Sequence, residues 1–166
     1  MWRRCKTNHR VAKACDMKKT LIVLGSPRPD GNTAVMAEWV ADGIRAAGEA
    51  VELIVLETLR SVHCGCRGCM ACRRLGDGRC VLDDEISLWT ARLPEYDTVI
   101  FATPVYFRMI SAQLKAFLDR MYCLYRSADG GSRIAHLRWV LLATGGDTLD
   151  DGLRDCDRLL SNLAGG

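Results

Sequence analysis

The feature that most constrains this chain is an alternation of short apolar runs with segments of helical periodicity. Thr20-Leu21-Ile22-Val23-Leu24 is apolar and β-branched and is stopped by Gly25, the pattern of a strand buried on both faces. Beyond a loop from Ser26 to Gly31, the residues Val35, Met36, Trp39, Val40, Ile44 and Ala47 recur at helical spacing as far as Gly48, a residue suited to ending a helix. Val51 to Leu56 supplies a second strand, and a cysteine-rich stretch from His63 to Cys80 follows where a crossover is expected. Residues 84 to 93 read as a short helix, with Asp83 or Asp84 as acceptor for its first amides. Thr98 to Ala102 is a third strand, Thr103 to Phe107 a turn, and a helix runs from Ser111 through Leu114, Phe117, Leu118, Met121 and Tyr122. Trp139 to Ala143 gives a fourth strand ending at Thr144-Gly145-Gly146, and an amphipathic helix spans Asp150 to Leu163.

Strands that alternate with helices through short connections specify a parallel sheet covered on both faces. The expected fold is therefore α/β, a flavodoxin-like doubly wound parallel sheet of order 2-1-3-4-(5). A fifth strand is missing from the pattern, so the expectation is either a truncated sequence or an edge completed by a neighbouring chain. With 166 residues, 49% of them hydrophobic, the chain has material for one sizeable core. No apolar run approaches the roughly 18–20 residues of a membrane-spanning helix, and the polar, basic opening does not read as a secretory signal.

Arg3, Arg4, Lys6, Arg10 and Lys13 against Asp16 put a net +4 into residues 1–16, so the formal +3 of the whole chain leaves −1 for the remainder. Residues 1–16 are expected to be a disordered basic extension, with Met17 as the natural start and residues 17–166 as the folded domain. That domain offers no basic face for nucleic acid, and neither nucleic acid nor membrane is an expected partner. Five of the nine cysteines lie between Cys64 and Cys80. In a chain with its own apolar core, such crowding points to metal, cluster or redox chemistry in a reducing, cytoplasmic compartment.

In Gly25-Ser26-Pro27-Arg28-Pro29-Asp30-Gly31-Asn32-Thr33 a strand ends, turn-forming residues follow and a helix begins. Such a loop turns unpaired backbone amides toward one point, and the helix N-terminus adds partial positive charge, so a phosphate is accommodated. Ser26, Asn32 and Thr33 add side-chain donors and Arg28 a guanidinium. The same residues also suit a tight turn with an Asn or Thr helix cap. There is no Gly-Lys-Ser/Thr ending and no G-x-G-x-x-G, so a mononucleotide fits better than ATP or NAD. In open α/β sheets ligands collect at the carboxyl ends of strands near the switch point. There, Pro104, Tyr106 and Phe107 form an aromatic turn able to lie against a planar ring, and Gly145 and Gly146 permit close backbone approach.

These residues carry a resemblance. Gly25-Ser26-Pro27-Arg28 with Gly31-Asn32-Thr33, then Thr103-Pro104-Val105-Tyr106-Phe107 and Ser111-Ala112-Gln113-Leu114-Lys115, resembles the NADPH-dependent FMN reductase family, in particular its iron-sulfur flavoprotein branch, over about Lys18 to Gly146. The resemblance implies FMN phosphate contacts at Ser26, Arg28, Asn32 and Thr33, and isoalloxazine contacts at Pro104, Val105, Tyr106, Phe107, Thr144, Gly145 and Gly146. It also implies NAD(P)H as co-substrate, or a ferredoxin-like donor, and a homodimer or homotetramer in which one chain covers the flavin of another. No residue is assigned a catalytic role of its own, because the flavin carries the chemistry. A flavodoxin-like carrier that turns over no substrate is the alternative.

The spacing Cys66-x2-Cys69-x2-Cys72-x7-Cys80 packs three thiols into one compact loop and returns a fourth after Gly76-Asp77-Gly78. Ferredoxin-type spacings place thiolates in this way around a 4Fe-4S cluster. Structural zinc is a competitor, although zinc sites more often bring separated Cys-x2-Cys pairs or pairs with His. Free thiols or a redox disulfide are the remaining reading. Cys64 stands as a spare ligand, and Cys5, Cys15, Cys123 and Cys156 as structural thiols without partner spacing.

Overall fold

The computed structural model describes residues 17–125, 131–146 and 149–164; residues 1–16, read above as an extension, lie outside them. Its elements alternate as expected. Strand β1 (Lys19–Leu24) leads into helix α1 (Asn32–Ala46), and strand β2 (Ala50–Val55) is followed by the cysteine-rich crossover with helices α2 (Ala71–Leu75) and α3 (Glu85–Arg92). Strand β3 (Thr98–Pro104), helix α4 (Ala112–Arg120), strand β4 (Arg138–Thr144) and helix α5 (Leu149–Ala164) complete the order.

Among the described residues the sheet has four strands in the order β2-β1-β3-β4, all parallel. This is the flavodoxin-like arrangement. The order reverses direction after β2, so the carboxyl ends of β1 and β3 lie side by side, where their loops diverge to opposite faces.

Alternate residues of the central strands supply two cores. Leu21, Val23, Val99 and Phe101 belong to the larger, which includes Leu114 and Phe117 of α4 and Cys156 and Leu160 of α5. Ile22, Leu24, Ile100 and Ala102 belong to the smaller, with Ala34, Ala37 and Ala41 of α1. Period-two alternation is thus hidden inside near-continuous apolar runs, because both faces are covered.

Helix α1 packs on the sheet chiefly through small residues. Its buried residues are Thr33, Ala34, Ala37 and Ala41, whereas Trp39 is 69% and Val35 42% exposed. Small side chains let the helix axis come close to the sheet, and Val40 and Ile44 pack partly buried against the same core. Helix α3 begins as read: Asp84 is its N-cap, and the carboxylate accepts from the Ser87 amide at 2.9 Å.

Candidate functional site

The carboxyl ends of β1, β3 and β4 frame a cleft of about 330 Å3 lined by Ser26, Arg28, Gly31, Asn32, Thr33, Pro104, Val105, Tyr106, Thr144, Gly145 and Gly146. The three loops singled out in the sequence therefore meet in one place. The volume lies at the small end of the range for ligand sites, roughly 300–1,000 Å3. No side chain caps α1, so the amides of its first turn face the cleft end without an intrahelical acceptor.

The first loop is shaped by its own hydroxyl. Ser26, 3% exposed, donates from Oγ to the Arg28 carbonyl at 3.0 Å and accepts from the Arg28 amide at 3.1 Å. The Gly31 amide closes the same turn on the Arg28 carbonyl at 3.2 Å. Ser26 thus spends its proton on the turn, and Arg28, Asn32 and Thr33 remain as the polar side chains of that wall. Thr33 and Thr144 share a hydrogen bond of 2.6 Å between their hydroxyls, which ties the first loop to the loop after β4.

A second set of bonds ties the first loop to the loop after β3. Ser111, the N-cap of α4, donates to the Gly25 carbonyl at 2.5 Å and accepts from the Leu114 amide at 3.2 Å. Its own amide donates to Thr103 Oγ1 at 3.0 Å. A Cβ on Gly25 would sit 2.7 Å from Cβ of Leu114 and 3.0 Å from Ser111 Oγ. Gly25→Ala is therefore expected to push α4 away from β1 and to cost about 1–3 kcal/mol by overpacking, read as a lower urea midpoint. An unchanged midpoint would show that the two loops are not in tight register.

Phe107 stands apart from the cleft. Tyr106 and Met109 exchange both backbone hydrogen bonds, each 2.9 Å, around a two-residue turn whose central residues Phe107 and Arg108 have φ of 48° and 63°. Positive φ at both positions is the conformation that favours Asn and Gly in tight hairpins. Here it throws the Phe107 ring fully into solvent, away from the ring-facing place that the resemblance implied. Arg108 reaches Asp155 of α5 at 3.3 Å, and Gly152 leaves room for Val105, whose Cγ1 would lie 2.8 Å from a Cβ there.

The cysteines form a separate place at the crossover. Cys66, Cys69, Cys72 and Cys80 line one small cavity together with Cys123, Arg120 and Tyr122. Cys66 and Cys69 are exposed, Cys72 and Cys80 half-buried, and Cys123 buried. Cys64 is not on that wall; its contribution is a carbonyl that accepts from Arg120 at 3.1 Å. Burial, and then the proximity of Cys80, raises the Cys72 thiol above its ordinary value, and burial with Cys80 and Cys72 pushes Cys123 up to about 12. Among the described residues no group of three or more His, Cys, Asp or Glu is drawn together around a single ion. The cavity, about 20 Å3, has room for a water-sized occupant, so a larger group requires the exposed Cys66–Cys72 segment to swing outward. Gly76 and Gly78, with φ of 66° and 74°, sit in the connection that would absorb such a movement.

The donor set nevertheless suits an anionic metal centre, for one reason that spacing does not show. Arg120 lies beneath the cavity with its side chain fully buried, and its Nε has no hydrogen-bond partner. A buried cation on that wall would offset part of the negative charge that four thiolates bring to a metal.

Comparison with known proteins sets both places in context. The sequence pattern of the NADPH-dependent FMN reductases matches residues 18–164. The chain belongs to that family. Its relatives include an iron-sulfur flavoprotein of Methanocaldococcus jannaschii, 34% identical over 102 residues, or 61% of this chain and 51% of the relative. Another, from Archaeoglobus fulgidus, is 35% identical over 104 residues, or 62% of this chain and 45% of the relative. The matches thus span about half the length of these curated relatives. Among solved structures, the NAD(P)H:quinone oxidoreductase of Methanothermobacter marburgensis has a TM-score of 0.72 at 18% identity, covering 89% of this chain and 75% of that one. An NADH:FMN oxidoreductase in its apo form gives 0.64 at 21% identity, covering 89% and 68%; at these identities the likeness is one of fold. No helix among the described residues is long and apolar enough to cross a membrane.

Proposed function

We propose that this chain is the FMN-binding part of an NAD(P)H-dependent oxidoreductase of iron-sulfur flavoprotein type. It moves electrons between NAD(P)H, or a ferredoxin-like donor, and an acceptor, with a 4Fe-4S cluster in the cysteine loop. FMN supplies the hydride and single-electron chemistry when bound. The residues of the chain bind and orient it. The observation that carries the reading is the cleft at the carboxyl ends of β1, β3 and β4, where an uncapped helix N-terminus and Arg28 stand opposite the Thr144-Gly145-Gly146 loop.

In this reading the α1 amides, Arg28, Asn32 and Thr33 hold the phosphate. Pro104, Val105 and Tyr106 flank the ring, and the backbone of Gly145 and Gly146 approaches its edge. Phe107, outside the cleft in a single chain, is placed to meet a ring only from the surface of a homodimer or homotetramer, in which one subunit covers the flavin site of another. Cys66, Cys69, Cys72 and Cys80 are the cluster ligands. The crowding of cysteines in a chain with its own apolar core supports a reducing, cytoplasmic setting.

Anaerobic purification followed by absorbance, iron, zinc and sulfide analysis tests the assignment. Flavin bands that bleach on addition of NADPH, with iron and sulfide present, are expected. Colourless protein carrying zinc would replace the reading with a metal-stabilised binding module. Flavin that no nicotinamide reduces but that exchanges electrons with a reduced ferredoxin would leave a carrier without substrate turnover. Sedimentation velocity on the flavin-loaded protein checks the assembly, with a monomer contradicting it.

A further inference from the structure

The inventory of the Arg120 guanidinium is complete but for one proton. A guanidinium presents five N–H donors and no acceptor. Nη1 donates to the Cys64 carbonyl at 3.1 Å and to Asp84 Oδ2 at 2.8 Å. Nη2 donates to Asp84 Oδ1 at 2.8 Å and, over a very short distance, to Ser87 Oγ. The Nε–H alone is unpaired, on a residue 1% exposed that lines the cysteine cavity beside Cys80.

A buried cation is costly unless it is paired and hydrogen-bonded, and this one is fixed with unusual thoroughness. Asp84 grips it from both carboxylate oxygens and is itself held by the Ser87 amide at the start of α3. The fork is rigid, so once Nη1 and Nη2 are pinned the direction of Nε–H is set. Arg92, at the surface, meets Glu52 through Nη2 alone, which donates to both carboxylate oxygens; Arg120 differs in being buried, in pairing both Nη atoms with Asp84 and in keeping one donor for the cavity.

We propose that Arg120 is a positioning residue of the cysteine site, whose Nε–H donates to the sulfur of Cys80 when that sulfur is a metal-bound thiolate. The inference rests on the iron-sulfur reading above and adds to it. Cys80 is the ligand that arrives after the Gly76-Asp77-Gly78 connection, and Arg120 fixes where its sulfur ends. A sulfur that accepts a hydrogen bond next to a buried positive charge carries added electron density more easily, so the arginine raises the potential of the centre. Burial works to lower the arginine's pKa, but hydrogen bonding to Asp84 and then the nearness of the Cys80 sulfur outweigh it.

The test uses the full chain, reconstituted anaerobically with iron and sulfide, as wild type, Arg120→Lys, Cys80→Ser and the paired variant Arg120→Met with Asp84→Ser. The paired variant removes both charges together and retains a capping oxygen for α3. Both arginine variants are expected to release iron to a chelator at least fivefold faster than wild type. Their midpoint potential, followed by electron paramagnetic resonance, should shift to lower values. FMN uptake should stay close to wild type in both, and metal-free melting should do so in the paired variant. Wild-type iron release and an unshifted potential in the paired variant would overturn the proposal and leave Arg120 as a structural partner of Asp84. Should the wild type acquire no iron-sulfur absorption, the cluster reading fails by itself, and cobalt(II) alone then decides about Arg120. Thiolate-to-cobalt bands in wild type that weaken in both variants support the role; bands equal in all of them, or absent from wild type, overturn it.

Discussion

Asp84→Ala is expected to destabilise the protein by about 3–5 kcal/mol, because it leaves a buried guanidinium without its counter-charge. Arg120 loses the acceptors of two N–H groups at once, and neither the Cys64 carbonyl nor Ser87 can replace them. The helix α3 loses its cap in the same step, which contributes about 1 kcal/mol. The measurement is the free energy of urea unfolding at neutral pH. A loss below about 1 kcal/mol would mean that water reaches Arg120 and that it is not the buried cation described above.

The pH dependence of the same pair has a definite sign. Burial works to raise the Asp84 carboxyl, but hydrogen bonds from Arg120 and the Ser87 amide, with the attraction of the guanidinium, outweigh it and hold the group below its ordinary 3.8. The unfolded state therefore binds the proton more readily than the folded one. The contribution is fully present above the unfolded value and is lost as pH falls through the depressed folded value. Stability of the wild type should thus fall more steeply than that of Asp84→Ala as pH drops below about 3.8. Parallel curves would place the acid sensitivity elsewhere.

The second large effect belongs to the cleft. Replacing Arg28, Asn32 and Thr33 together with alanine is expected to lower FMN affinity on the order of a hundredfold or more. Hydrogen bonds to a charged group contribute about 1.5–3 kcal/mol each, and every ~1.4 kcal/mol is tenfold in binding. Isothermal titration of the apo-protein with FMN gives the number. Riboflavin, which lacks the phosphate, should show little difference between wild type and variant. An unchanged FMN affinity would remove the phosphate site from the first loop and with it the proposed function. Thr33 also bonds Thr144, so a melting curve must accompany the titration.

The strand order and the meeting of three loops were legible because each rests on local pattern. A buried parallel strand is an apolar run, and a phosphate loop is a set of turn residues between a strand and a helix. The position of Phe107 was not legible. Aromatic residues in a turn look alike whether they face a ligand or solvent, and here the choice falls to the positive φ of Phe107 and Arg108. Which α1 residues are buried most deeply was not legible either. Periodicity ranks residues by hydrophobicity, whereas close approach to a sheet selects the small ones, Ala34, Ala37 and Ala41.

The sequence by itself determined the class of fold, the site of the first loop, and the four cysteines that crowd into one crossover, since all of these are written in residues near one another along the chain. Only the tertiary structure decided that Arg120, from the end of α4, stands under those cysteines. It does so because Asp84, thirty-six positions earlier, holds it there, and because Cys123 one turn later completes the wall. A lone arginine in an amphipathic helix carries no local sign of burial. Its partner, its missing acceptor and its neighbours exist only once distant segments have been brought into contact.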